Sequence, residues 1–202
     1  MSDDIDRIRD DISFVRGLVE DDGSVLRASA IGLLVAGSIF GLAALRSFAL
    51  SGGWLQWPEA LRPLLPFDAP VVFFLVLLPI LALSRGGAQA PRVAISSTSR
   101  TVWASWAAVG TGYAAAALSL SIAGVHAEGA VLFAFWGSGW FIAAAAYRRA
   151  WQALVSLGCY LVAVASGALA GKAEEQLLLG LALWTLVALP GLIILRQARS
   201  SS

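Results

Sequence analysis

The stretch ASAIGLLVAGSIFGLAALRSFA, residues 28–49, decides the fold. Its one charge is Arg46, and about 20 helical residues suffice to cross a bilayer core about 30 Å thick. Such a run predicts a transmembrane helix. Further apolar runs follow at 70–83, 101–123, 129–147, 150–170 and 176–195. The run at 70–83 is short and contains Pro79, so the alternative to six crossings is five plus a re-entrant segment. The whole chain of 202 residues is 58% hydrophobic and only 13% charged, with a mean hydropathy of +0.78. Long apolar runs rather than a water-soluble core account for that composition. The expected fold is therefore all-α: a polytopic bundle of about six membrane helices over 28–199, preceded by a cytoplasmic segment, 1–27, and followed by a tail, 200–202.

Charge orients the bundle. Arg85, Arg92, Arg100, Arg148, Arg149, Arg196 and Arg199 lie in segments that contain no acid. The alternate segments hold Arg46, Arg62 and Lys172 together with Glu59, Asp68, Glu128, Glu174 and Glu175. Positively charged loops stay inside, so both termini are expected in the cytoplasm. A single lysine among fourteen basic residues, with abundant Ala and Gly, fits a bacterial inner-membrane protein. The acidic start lacks the basic region of a secretory leader, and the run beginning at Ala28 should remain as an anchor.

A shift of 48 residues lays Arg100, Trp103 and Gly110 on Arg148, Trp151 and Gly158, and Trp136 on Trp184. Two tandem hairpins, 100–147 and 148–196, would produce this pattern. So would interfacial Trp and basic anchors recurring wherever a helix enters the membrane.

No catalytic, cofactor or metal site is expected. Ser138 sits between glycines in FAFWGSGWF (133–141), but an activated serine needs a nearby base. The one histidine, His126, lies a dozen residues away, or about 18 Å along a helix. Helix packing, with Ser138 bonding across an interface, explains the motif better. His126 and Glu128, even with Glu174 and Glu175, form an acidic rim rather than the compact ligand set that zinc requires. The lone Cys159 falls in an apolar run and reads as a packed thiol. The apolar runs contain no acid, which argues against ion-coupled transport, and Arg46 is placed to snorkel to the interface. Gly37-x-x-x-Gly41 and Gly167-x-x-x-Gly171 fit close helix packing. Tyr113, Trp136, Trp140, Tyr160 and Trp184 fall at similar depths and are the candidate lining of an aromatic pocket for a lipid-like or cationic ligand.

The opening segment DDIDRIRDDISFVRGLVEDD, residues 3–22, contrasts with the rest. Residues 1–23 hold eight of the thirteen acids. Ile5, Ile8, Ile12, Val15 and Val19 repeat at intervals of 3 and 4, a heptad seam with Ile5, Ile12 and Val19 at a and Ile8 and Val15 at d. Ser2 can cap the helix, and Gly23 is its expected end. Anionic lipid would repel so acidic a helix. Its options are the protein's own arginines, a cytosolic partner or copies of itself. In a parallel pairing Asp4 would face Arg9 and Asp11 would face Arg16.

The expected function is a non-enzymatic assembly or regulatory subunit, in contact with membrane lipids and forming a homo-oligomer or holding a cytosolic protein. The alternative is an uncoupled transporter or channel for a small or lipid-like solute. Nothing implies nucleic acid.

Overall fold

The computed structural model describes residues 2–85 and 97–200, and every regular element among them is helical. Helix α1 (Ser2–Ser51) is followed by a 3-10 turn (Glu59–Leu64) and α2 (Leu65–Arg85). Then come α3 (Ser97–Ala123), α4 (Glu128–Tyr147) and α5 (Ala150–Leu169). The last rod consists of α6 (Ala173–Leu183), a π-helical turn (Trp184–Ala188) and α7 (Leu189–Ser200). Five helical stretches are long and apolar enough to cross a membrane: Arg27–Ser51, Arg100–Ala123, Glu128–Tyr147, Ala150–Leu169 and Ala173–Gln197. The apolar part of α2, Asp68–Ile80, is shorter. This is a helical membrane protein.

Gly23 does not end the first helix; α1 runs through it without a break. Glycine inside a helix costs about 1 kcal/mol. Ending the helix there would leave eight backbone groups to be satisfied at two new helix ends, which is the larger cost. The seam residues Ile5, Ile8, Ile12, Val15 and Val19 fall on this stretch of α1, and their side chains lie outside the described part of the structure.

Helix α1 is central, packing on α2 to one side and on α6, the π turn and α7 to the other. Glycines permit the second contact. A β-carbon added to Gly37 would meet the Ala188 nitrogen at 2.5 Å and the Leu183 oxygen at 2.8 Å, and one on Gly191 would meet the Ala30 oxygen at 2.8 Å. Gly41 and Gly180 face each other in the same seam, each close to the other's carbonyl oxygen. Gly37-x-x-x-Gly41 is therefore a true packing motif. Gly167-x-x-x-Gly171 is not: Gly171 lies beyond the end of α5 with φ +77°, serving the turn into α6.

Pro190 accounts for the π turn. Its ring crowds the carbonyl four residues earlier and it offers no N–H. Widening by one residue just before it lets the Leu189 N–H reach the Trp184 oxygen. Gly37 of α1 sits against this widened turn.

Helices α4 and α5 form the other large contact, and α3 packs on α4. The core joins both halves through Ala30, Phe133, Trp140, Cys159, Leu183, Val187 and Ile194. Only 6% of the α3 window is buried, and its hydroxyls at Ser105, Thr111 and Ser119 bond back to their own helix.

Candidate functional site

Ser51, His126, Gly171 and Lys172 line one cavity. The end of α1, the α3–α4 turn and the α5–α6 turn therefore gather at one end of the bundle. Glu128 and Glu175 lie there too. At the opposite end Arg148 and Arg149 join α4 to α5, and Arg149 donates to Gln197 at 2.7 Å. The molecule thus has an acidic end and an arginine end.

The cavity at the acidic end has a volume of about 470 Å³. Tyr113, Glu128, Lys172, Glu175 and Gln176 supply its polar wall, and Leu132 and Leu179 an apolar one. Glu175 is its best-defined group. Helix α6 begins at Ala173, which brings Glu175 into the first turn and under the α5–α6 loop. Only 7% of the residue is exposed. Ser166, fully buried on α5, donates its hydroxyl to Oε1 at 2.7 Å, and the Gly171 N–H donates to Oε2 at 3.1 Å. A β-carbon on Gly129 of α4 would stand 2.6 Å from the Ser166 Oγ and 2.9 Å from Glu175 Oε1. Three helices therefore close around this carboxyl. Glu174 is the exposed rim residue that the sequence suggested; Glu175 is not.

The five aromatics expected to line one pocket lie in separate places. Tyr113 is on the cavity wall. Trp136 and Trp140 both stack edge-on against Trp106, with centroids 5.7 Å away in each case, and Trp151 lies 5.9 Å from Trp140. That is a packed cluster in which Trp140 is buried. Tyr160 shares a 3.1 Å hydrogen bond with Ser138, while Trp184 lies over Gly41. The two partners missed in sequence, Trp106 and Trp151, come from α3 and α5.

Ser138 bonds across the α4–α5 interface, as its glycine flanks implied, and also donates to the Ala134 oxygen at 3.1 Å. Gly137 lies under the Tyr160 ring and Gly139 under Trp106. Cys159 is buried. His126 joins Glu128 on the cavity wall, but no group of three metal-ligating side chains exists among the described residues.

Arg46 does not simply snorkel. Its Nη1 and Nη2 donate to the two carboxylate oxygens of Asp68, the Nη2 bond being 3.0 Å, and the guanidinium lies 5.3 Å from the Trp57 ring centroid. The signal was an arginine near the end of one helix and an acid near the start of the next. Recognising the pair required the register of α2 along α1. Asp68 opens the apolar part of α2, and its carboxylate accepts both bonds from Arg46. Protonating this carboxylate removes the pair's negative charge, so thermal midpoints measured in detergent from pH 6 to pH 2 should fall more steeply for the natural protein than for Asp68→Asn.

Comparison of the chain with protein-family models, curated proteins and solved structures gives no match.

Proposed function

We propose that the protein is a non-catalytic, multi-pass subunit of a bacterial inner membrane, with both termini in the cytoplasm, and that α1 joins copies of it into an oligomer. The observation that carries this reading is the unbroken course of α1 from Ser2 to Ser51. Residues 2–26 would extend about 37 Å from the membrane at 1.5 Å per residue. They are not a tethered tail but the continuation of the helix that packs at the centre of the bundle. Any association at the seam is then transmitted directly to α2, α6 and α7.

Six crossings are favoured by the placement of the helix ends. Ser51 and His126 share the acidic end, while α3 must begin at the other end to finish there. The chain between them has to cross. The pairings Arg46–Asp68 and Phe40–Phe73, the latter 5.5 Å between centroids, set α2 antiparallel to α1. Its 21 residues extend about 31 Å, enough for the return.

Heptad seams this short are marginal in water, so association depends on concentration in the membrane. Cysteine at Ile8, a d position, should form intersubunit disulfides when an impermeant oxidant reaches inverted vesicles, and not right-side-out ones. Cysteine at Asp10, on the outward face, should give several-fold less. Adding Ile12→Lys to the Ile8→Cys protein should remove most of the cross-link and leave the protein in the membrane. Equal yields at the two positions would overturn self-association and favour a cytosolic partner for the same helix.

The cavity at the acidic end favours a second reading, passage of a small solute. Beyond it, however, Phe133, Trp140 and Val187 are packed to near-zero exposure. That supports a binding pocket rather than a pore.

A further inference from the structure

We propose that the cavity at the acidic end binds a small primary ammonium compound, its charged head held by Glu175 and Glu128 and its hydrocarbon part lying against Leu132 and Leu179. Nothing in this depends on oligomerisation through α1. The volume, about 470 Å³, falls within the range of about 300–1,000 Å³ usual for small-molecule pockets.

Charge selects the ligand class. Glu175 is nine-tenths buried, yet both its hydrogen-bond donors, the Ser166 hydroxyl and the Gly171 N–H, are uncharged. Neither Glu175 nor Glu128 forms an ion pair with a basic side chain among the described residues. A buried carboxylate without a counter-charge is costly, and a cation that reaches it recovers part of that cost. Lys172 is the one basic side chain of the wall other than His126, so with histidine neutral the lining is negative by one charge. An anion would be repelled.

Hydrogen bonding narrows the choice. Tyr113 and Gln176 add neutral acceptors to the two carboxylates, a set suited to the three donors of a primary ammonium. Quaternary ammonium ions are instead recognised by several aromatic faces, and Tyr113 is the one aromatic in this wall. A bare metal ion is a poor fit because the described residues bring no three ligating side chains together. Leu132 and Leu179 supply apolar contact for a short hydrocarbon body.

The test is isothermal titration of the full chain in phosphatidylcholine nanodiscs, with empty discs subtracted, using hexylammonium, hexanol and hexanoate as probes matched in length. Saturable binding of hexylammonium with a stoichiometry of one per chain is expected, at least about tenfold tighter than hexanol or hexanoate. Glu175→Gln keeps the side chain's shape and should weaken hexylammonium binding at least about tenfold, because one close charge pair outside bulk water contributes more than that factor. Because that buried change can also disturb folding, Glu128→Gln at the partly exposed α4 start provides the second arm. It should weaken binding severalfold with an unchanged thermal midpoint. Absence of saturable hexylammonium binding, equal binding of the neutral probe, or affinity unaltered in folded Glu128→Gln would each overturn the proposal.

Discussion

Gly37→Leu is expected to abolish the folded bundle, and Gly37→Ala to weaken it by at least about 1–3 kcal/mol, the usual cost of overpacking. The reason lies in what surrounds the position. An added β-carbon would stand 2.5 Å from the Ala188 nitrogen, 2.8 Å from the Leu183 oxygen and 2.9 Å from the Ala188 α-carbon. All are backbone atoms of the π turn and its approach, so no flexible side chain can move aside. Relief requires α1 to withdraw from the α6–α7 rod along the seam that Gly41, Gly180 and Gly191 also line. In lipid that contact is held mainly by close packing, and separation forfeits it over the whole length. Gly32→Ala and Gly110→Ala are the controls, since a β-carbon at either meets nothing within 4 Å. Both should be neutral or more stable by up to about 1 kcal/mol from helix propensity. Thermal unfolding in detergent, followed by loss of the monodisperse peak on size exclusion, gives the comparison. Similar behaviour of Gly37→Ala and Gly32→Ala would show that α1 does not pack as described.

The second large effect is expected at the buried carboxyl. Ser166→Ala removes a hydroxyl that donates at 2.7 Å to Glu175 from a site with no solvent exposure. Hydrogen bonds to charged groups contribute about 1.5–3 kcal/mol. Glu175→Ala should cost at least as much, because it leaves both the Ser166 hydroxyl and the Gly171 N–H without their acceptor. The double variant should be less destabilised than the sum of the two, since the second change removes a group already stranded by the first. A coupling of about 1 kcal/mol or more is the expected mark of direct contact. Additive losses in denaturant titrations would mean that the two groups do not share a bond.

Much of the architecture is legible in the sequence. Five of the six apolar runs coincide with helices of spanning length, and the doubtful run at 70–83 is the one whose apolar part is short. Hydropathy is a local sum, so a window of sequence is enough to evaluate it. The packing role of Ser138 and its glycines was readable for a similar reason: small residues in a membrane helix have few other uses. The continuity of α1 was not. Gly23 is a common helix stop, and its effect was outweighed by the cost of opening two helix ends beside an already stable span.

The site was much less legible. In water, an amphipathic stripe reveals which face of a helix is buried. In a bilayer the surroundings are as apolar as the core, and that signal disappears. Trp184, 46% exposed, and Trp140, 1% exposed, look alike as residues in apolar runs. Only the rotation of each helix about its axis separates them, and that rotation is set by contacts such as Gly41 against Trp184 and Gly139 against Trp106. Likewise Glu174 and Glu175 are adjacent acids at one helix start, about 100° apart around its axis. Hydropathy and charge, both readable residue by residue, set the solvent, the apolar helices and the two charged ends. Packing settles that Glu175 turns inward to Ser166, that Arg46 meets Asp68, and that Trp136 and Trp140 pack on Trp106 apart from Tyr113, Tyr160 and Trp184, because each depends on which faces of different helices meet.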